Sequence, residues 1–394
     1  MTNSEQTETP LPVDDDDEPE ELSVSWAELF FDLVFVFAVT EVSILLRKDP
    51  TLLGVGHAVV AFVPIYWVWV GTCIFANTHG LKTNIDRIGL FAVGLGGMFM
   101  ALAVPQAYGG RGILFGASYL AVRIILLIMI WRAGKMPLVS FVIGAFVSGP
   151  LMLAGGFLPS LPSPIRFLVW GVAAFADLSN PAFARKKLAS ARFAPGHLAE
   201  RFGGFLIIAL GESIVDIGAP AASATSLDVT TVVAVSAAFV LAAGLWWVYY
   251  AYAAGAVQHA LSSKDARNDI IRTVLTYGHL VFIAAIIAVA VGMAEAVQYP
   301  ERPLPWGDLN LLFVGCAVYL ATFGYNRWKM FHTWSVVRLG GAAVVLALLP
   351  VAAHVPALIA LYGLGIVVGA VNLTEYVLVR IGATSTGPRR EQPQ

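Results

Sequence analysis

The sequence predicts an all-α polytopic membrane protein of about twelve transmembrane helices, arranged as two parallel six-helix repeats. Hydrophobic residues make up 58% of the 394-residue chain and charged residues 13%, about half of the roughly 25% found in soluble domains. Apolar runs of the ~20 residues needed to cross ~30 Å of hydrocarbon recur along nearly the whole length. Short motifs of the first half return in the same order in the second.

Residues 1–24, with Asp14-Asp15-Asp16-Asp17-Glu18 followed by Glu20 and Glu21 among prolines, read as a disordered acidic tail, not as a basic-then-apolar signal peptide. The first span, 27–46, opens at Ser25 and Glu28, spaced as a capping box. Spans at 55–76 and 87–105 follow, the latter ending at Pro105, and Gly109-Gly110 separates it from 112–132. Gly134 and Pro137 bracket the start of 136–156, and the proline-rich stretch from Pro159 to Pro164 precedes 164–183. A basic linker, 185–197, leads to 198–218. The remaining spans, 229–252, 269–293, 308–325, 333–350 and 354–378, lie between charged or Pro/Gly breaks such as Pro300-Glu301-Arg302-Pro303. Residues 381–394 form a polar C-terminal tail.

Lysine and arginine collect on one side of this arrangement, as at Lys82, Arg87, Arg132, Arg185, Lys186, Lys187, Lys264 and Arg327, whereas the other side has little beyond Arg47, Lys48, Arg111, Arg166 and Arg302. Basic loops stay on the cytoplasmic side, so both termini are expected there, in the plasma (inner) membrane. The repeats, 25–184 and 198–380, are matched by Tyr66-Trp67-Val68-Trp69 with Trp246-Trp247-Val248-Tyr249, by Ala117-Ser118-Tyr119-Leu120-Ala121 with Ala317-Val318-Tyr319-Leu320-Ala321, and by Glu28-Leu29-Phe30 with Glu200-Arg201-Phe202. Six helices per unit give both copies one orientation.

Ionised side chains inside a bilayer are costly and usually face a bundle interior or a wet cavity. Glu28 is explained by its cap. Asp32, one turn deeper on the same face, is not, and is read as lining a functional cavity or an ion pair. Glu41 lies about 13 Å further along, toward the outer interface. Arg123 falls near the middle of an otherwise uncharged span, so it needs an acid, with Asp32, Glu41 and Glu212 as candidates. Glu212 and Asp216 are four apart and share a face. These acids and Arg123 are the expected transport or ion-pathway residues, with Asp32, Glu41, Arg123 and Glu212 first and Glu28, Glu200, Arg201, Asp216 and His279 second. Glu200 and Arg201 also read as interfacial, and Asp177 and Glu375 as surface or cap contacts. The tyrosines and tryptophans of the repeated motif read as interfacial belts or packing.

No catalytic residue, metal site or cofactor is expected: the histidines are scattered, Cys73 and Cys316 sit in apolar runs, and no phosphate-binding glycine loop, nucleophile elbow or nucleic-acid patch is present. Expected partners are the lipid bilayer and an unidentified small ion or small molecule, not nucleic acid, and a homodimer is left open.

The stretch Glu28-Leu29-Phe30-Phe31-Asp32-Leu33-Val34-Phe35-Val36-Phe37-Ala38 resembles the N-terminal signature of the bacterial low temperature requirement A family. His197-Leu198-Ala199-Glu200-Arg201-Phe202-Gly203 with Ala209-Leu210-Gly211-Glu212-Ser213 resembles its second signature. The resemblance, over about residues 22–382, implies a bacterial multi-pass membrane protein loosely associated with growth in the cold. The first helix is also similar to that of potassium channels carrying a Phe-Ser-Asp motif in six-helix repeats, but Phe31 replaces the serine and Leu33 the usual glycine. A non-enzymatic transporter or ion-conducting protein is the leading expectation. A membrane-embedded enzyme and a non-catalytic scaffold or sensor are the alternatives.

Overall fold

The computed structural model describes residues 24–134, 139–159, 164–183, 193–223, 226–262 and 267–381. The expected C-terminal tail, nearly all of the N-terminal tail and most of the basic linker lie outside these residues. Among the described residues the chain is helical throughout, with twelve helices and no strand. They are α1 Trp26–Lys48, α2 Leu52–His79, α3 Asn84–Gln106, α4 Gly112–Ala133, α5 Ser140–Phe157 and α6 Ile165–Phe183, then α7 Pro195–Ser223, α8 Val229–Leu261, α9 Asn268–Gln298, α10 Trp306–Phe331, α11 Val336–Ala352 and α12 Ala357–Arg380. Each expected span coincides with one helix. Among the described residues ten of the twelve are long and apolar enough to cross a membrane. The other two are α11, which is shorter, and α6, which carries Arg166, Asp177 and Asn180.

Local chemistry sets the helix ends. Ser25 and Glu28 form the expected capping box on α1, and Thr83 with Asp86 forms another on α3. Thr51 and Asp228 cap α2 and α8 with their side chains, each satisfying a first-turn amide that the helix leaves unpaired. Gly134 closes α4 in the left-handed region at φ 66°, a conformation that costs glycine little.

The most buried helices are α2, α9 and α10: 83%, 72% and 72% of their apolar windows are inside the protein, against 33% for α8 and α12, which places the first three at the centre. Within the first half α1 packs on α2 and α3, α3 on α4, α4 on α5, α5 on α6, and α6 back on α2. In the second half α7 packs on α8 and α9, α9 on α10, α10 on α11, α11 on α12, and α12 back on α8. Contacts of α1 and α2 with α7 and α9 join the halves.

The central helix α9 begins with a π-helical stretch, Ile271–Gly278. Wider winding disturbs the usual i to i−4 ladder, and side chains meet its carbonyls. The Tyr66 hydroxyl donates to Thr276 O at 2.8 Å, Thr276 Oγ1 to Ile271 O at 3.1 Å, and His279 Nδ1 to Val274 O at 3.1 Å. A carbonyl only accepts, so His279 carries its proton on Nδ1 and its Nε2 accepts from the Tyr249 hydroxyl at 2.7 Å. His279, fully buried against Phe202 and Phe282, is thus engaged at both ring nitrogens by the packing of the centre.

At the opposite end of the bundle from the start of α1, Arg166 is 6% exposed. It donates to five carbonyls: Gly155 at 3.2 Å, Ala107 at 2.9 Å, Gly109 at 2.7 Å, Gly156 at 3.1 Å and Leu158 at 2.7 Å. This guanidinium ties the α3–α4 connection to the end of α5. Hydrogen bonds to a charged group contribute about 1.5–3 kcal/mol each, so Arg166→Ala should lower the thermal midpoint strongly, by several kcal/mol in stability. Arg166→Lys should recover only part of it, because an ammonium has three donors and no planar fork. Replacement of exposed Lys48 by alanine should change the midpoint little.

Candidate functional site

Where α1 begins, a polar cluster is buried between α1, α2 and α7. The capping box holds one oxygen of Glu28: Ser25 N and Ser25 Oγ donate to Oε2 at 3.0 and 2.9 Å. The other oxygen faces α7, with Oε1 3.2 Å from His197 Nε2 and 3.6 Å from Arg201 Nη1. One turn deeper, Asp32 Oδ1 accepts from Arg201 Nη2 and from Trp69 Nε1, both at 2.8 Å. Arg201 Nη2 also lies 3.3 Å from Cys73 Sγ, and the guanidinium sits 5.8 Å from the Trp69 ring centroid. Asn77, near the end of α2, contacts His197 Nδ1 at 3.1 Å and exchanges hydrogen bonds with the backbone of Ala194 at 2.8 and 3.0 Å. None of Glu28, Asp32, His197 and Arg201 is more than 4% exposed.

A second cluster lies further along the same two helices. Thr40, eight residues and about 12 Å beyond Asp32, donates to Glu212 Oε2 at 2.7 Å, and Arg47 Nη2 meets Asp216 Oδ1 at 2.5 Å. Partners along the whole seam are separated by 169 to 173 positions, so α1 and α7 run parallel and in step. Aromatic rings fill the space between the clusters: Phe35 meets Phe205 edge-to-face at 6.2 Å, and Phe205 stacks on Trp69 at 4.3 Å. In the first cluster Arg201 and His197 meet the carboxylates of Glu28 and Asp32, and in the second Arg47 meets Asp216 while Thr40 binds Glu212. Four polar atoms of the second cluster, Ser43 Oγ, Arg47 Nε, Glu212 Oε1 and Asp216 Oδ2, are buried with no protein hydrogen-bond partner.

Arg123 belongs to neither cluster. Its acid is none of Asp32, Glu41 and Glu212 but Asp177 of α6, with Nη2–Oδ1 at 3.5 Å. Asp177 is fully buried and also accepts from the Tyr119 hydroxyl and, at 2.8 Å, from Ser148 Oγ. The guanidinium packs so closely on Gly144 that a Cβ there would collide with it, which accounts for glycine at that place in α5. The second half has a comparable pair. Arg338 of α11 binds Glu375 of α12 bidentately at 2.6 and 2.8 Å and lies 4.4 Å from the ring centroid of Phe323. Asp177 and Glu375 are therefore ion-paired inside the bundle, not surface or cap contacts, because the arginine opposite each one offsets the cost of removing it from water.

Of the other expected site residues, Glu41 is half-buried and makes no ion pair with a described residue, and Glu200 is exposed. Arg201, which also reads as interfacial, is 1% exposed, since its helix face turns onto α1 and α2. Trp69 and Tyr66 are buried packing residues with a polar contact each, whereas Trp246 and Trp247 are 42% and 50% exposed. Trp69, Cys73 and Asn77 are the cluster residues that sequence reasoning left out of the candidate site. For Trp69 and Asn77 a signal existed: both sit on the same stretch of α2 as Cys73, three to four residues apart, and so share a face. Among the described residues no group of three or more His, Cys, Asp or Glu side chains is placed to hold a metal ion.

Residues 23–373, including both carboxylate-bearing motifs of the seam, match the family described as bacterial low temperature requirement A protein, LtrA. The chain belongs to the LtrA family. It is also similar to an uncharacterized protein of Rhizobium meliloti (strain 1021), 29% identical over 301 residues that cover 72% of each chain. No solved structure matches it. Membership and the apolar helices together make this LtrA-family chain a polytopic membrane protein.

Removing one partner of a buried ion pair costs about 3–5 kcal/mol because the other charge is left unpaired. Arg201→Leu should therefore destabilise the protein by about that much in detergent unfolding. Combining it with Asp32→Asn should restore part of the loss. Additive losses in this double-mutant cycle would show that Arg201 and Asp32 are not coupled.

Proposed function

We propose that this LtrA-family protein is a transporter or ion-conducting protein whose path follows the α1–α7 seam, with a proton or small cation carried by the seam's carboxylates. The observation that carries the reading is the charge count: the seam holds four carboxylates, Glu28, Asp32, Glu212 and Asp216, with two arginines, Arg201 and Arg47, and one histidine, His197. A buried excess of negative charge is costly, and a proton or cation that binds there removes it. Unpartnered polar atoms at Ser43, Glu212 and Asp216 offer that ion a place to bind, and the Phe35–Phe205 contact would act as the barrier between the two ends. Asp32 and Glu212 then carry the ion, Arg201 and Arg47 hold the acids in place, and Glu41, Glu200, Arg123 and His279 lie off the path.

Two further proposals complete the reading. The halves are six-helix repeats of one orientation, supported by the parallel packing of α1 on α7 and by the shared order of helix pairing. Both termini lie on the cytoplasmic side of the plasma membrane, supported by the basic residues collected at that end.

In proteoliposomes with a trapped pH dye, an imposed gradient should drive flux through the wild-type protein above that of empty vesicles. Asp32→Asn and Glu212→Gln should each reduce it at least tenfold while the melting transition is kept. Absence of wild-type flux with protons, sodium and potassium sinks the proposal. The pairing of Asp32 with both Arg201 and Trp69 favours a second reading, a scaffold held by internal ion pairs. In that case the swap Asp32→Arg with Arg201→Asp should regain stability while neither protein shows flux.

A further inference from the structure

Away from the seam, a cavity of about 80 Å³ opens between α2, α4, α5, α6 and α9, toward the end of the bundle where α1 begins. One water needs about 10–15 Å³ on this measure, so the space accepts a group of several heavy atoms. Trp67, Val70, Phe141 and Ile271 form an apolar wall. The polar part is made by Arg123, Arg272, Asn180 and Ser140. Arg123 and Asn180 are 3% and 1% exposed, and each of the four has a buried atom with no protein hydrogen-bond partner: Arg123 Nε, Arg272 Nε, Asn180 Oδ1 and Ser140 Oγ.

The charges are arranged asymmetrically. Asp177 and Asp269 pair with the two arginines at 3.5 and 2.6 Å, yet no carboxylate is among the described residues lining the cavity. Asp177 is further occupied by Tyr119 and Ser148, and Arg123 Nε, which lies against Gly144, has no acceptor in the protein. A buried donor left unmade costs about 1–3 kcal/mol, more for charged groups. Two arginines in the lining, against an apolar wall, match a ligand with an anionic head and a short apolar body. Carboxylate fits better than a bulkier head in this volume, because guanidinium and carboxylate are planar partners.

We infer that this cavity binds a short-chain monocarboxylate, of about four to six carbons, with its head on Arg123 and Arg272 and its chain against Trp67 and Phe141. The site lies apart from the seam and stands whether or not the seam carries flux.

The test uses the full chain in lipid nanodiscs, titrated calorimetrically with pentanoate, pentanol, pentylammonium and pentyl phosphate, with empty nanodiscs subtracted. Pentanoate should bind saturably, and pentanol and pentylammonium at least tenfold more weakly. Arg272→Gln, on a partly exposed residue, and Arg123→Lys, which keeps a cation beside Asp177, should each weaken pentanoate binding at least tenfold with the melting transition retained. Lack of saturable pentanoate binding overturns the proposal, as does equal binding of pentanol or undiminished binding by folded Arg272→Gln protein. Tighter binding of pentyl phosphate overturns the carboxylate assignment.

Discussion

A bilayer gives a charged side chain no water to fall back on, and the architecture is organised around that constraint at one residue, Arg201. This guanidinium, 1% exposed, reaches Asp32 at 2.8 Å and Glu28 at 3.6 Å, so that two acids of α1 are tolerable only because α7 lies beside them. The pairing fixes α1 and α7 as parallel neighbours, draws Trp69 and Cys73 of α2 into the same contact, and makes the junction between the halves of the chain a charged seam. Apolar packing alone discriminates poorly between helix neighbours in lipid. A buried ion pair whose loss costs about 3–5 kcal/mol does so strongly.

Elsewhere in the bundle intramembrane charge is arranged one acid to one arginine. Arg123 pairs with Asp177, which Tyr119 and Ser148 also bind, and Arg338 pairs bidentately with Glu375. They join α4 to α6 and α11 to α12. The seam differs in stoichiometry: four acids stand with two arginines and one histidine, and its second cluster contains Ser43, Glu212 and Asp216 atoms that no protein group satisfies. That difference, and not the mere presence of carboxylates, separates a candidate ion path from a set of staples.

Hydropathy and breaks located every helix, because a ~20-residue apolar run has few alternatives in a membrane chain, though α8 and α10 run nine and six residues past their expected ends. The Ser25–Glu28 cap was legible for the same reason: its partners are three residues apart. What the sequence concealed was pairing across long separations. Asp32 and Arg201 are 169 positions apart, and nothing local distinguishes Arg201 from an interfacial arginine beside a basic loop. Arg123 was recognised as needing an acid, but the acid is Asp177, twelve residues inside a nineteen-residue helix and misplaced by attention to the helix end. His279 stood out in sequence for being inside a span, yet its role, closing a π-helical stretch, depends on backbone winding that composition does not encode.

The native cysteines allow the central claim, that the seam is an accessible path and not a sealed joint, to be tested without mutation. Cys73 touches Arg201 in the seam, whereas Cys316 is buried in α10 away from it, and both are free thiols. The measurement is the rate at which a small, membrane-impermeant cationic thiol reagent modifies each cysteine in sealed proteoliposomes. The account predicts that Cys73 reacts much faster than global unfolding allows while Cys316 stays protected. Equal protection of both, with reaction only at the rate of unfolding, would contradict it.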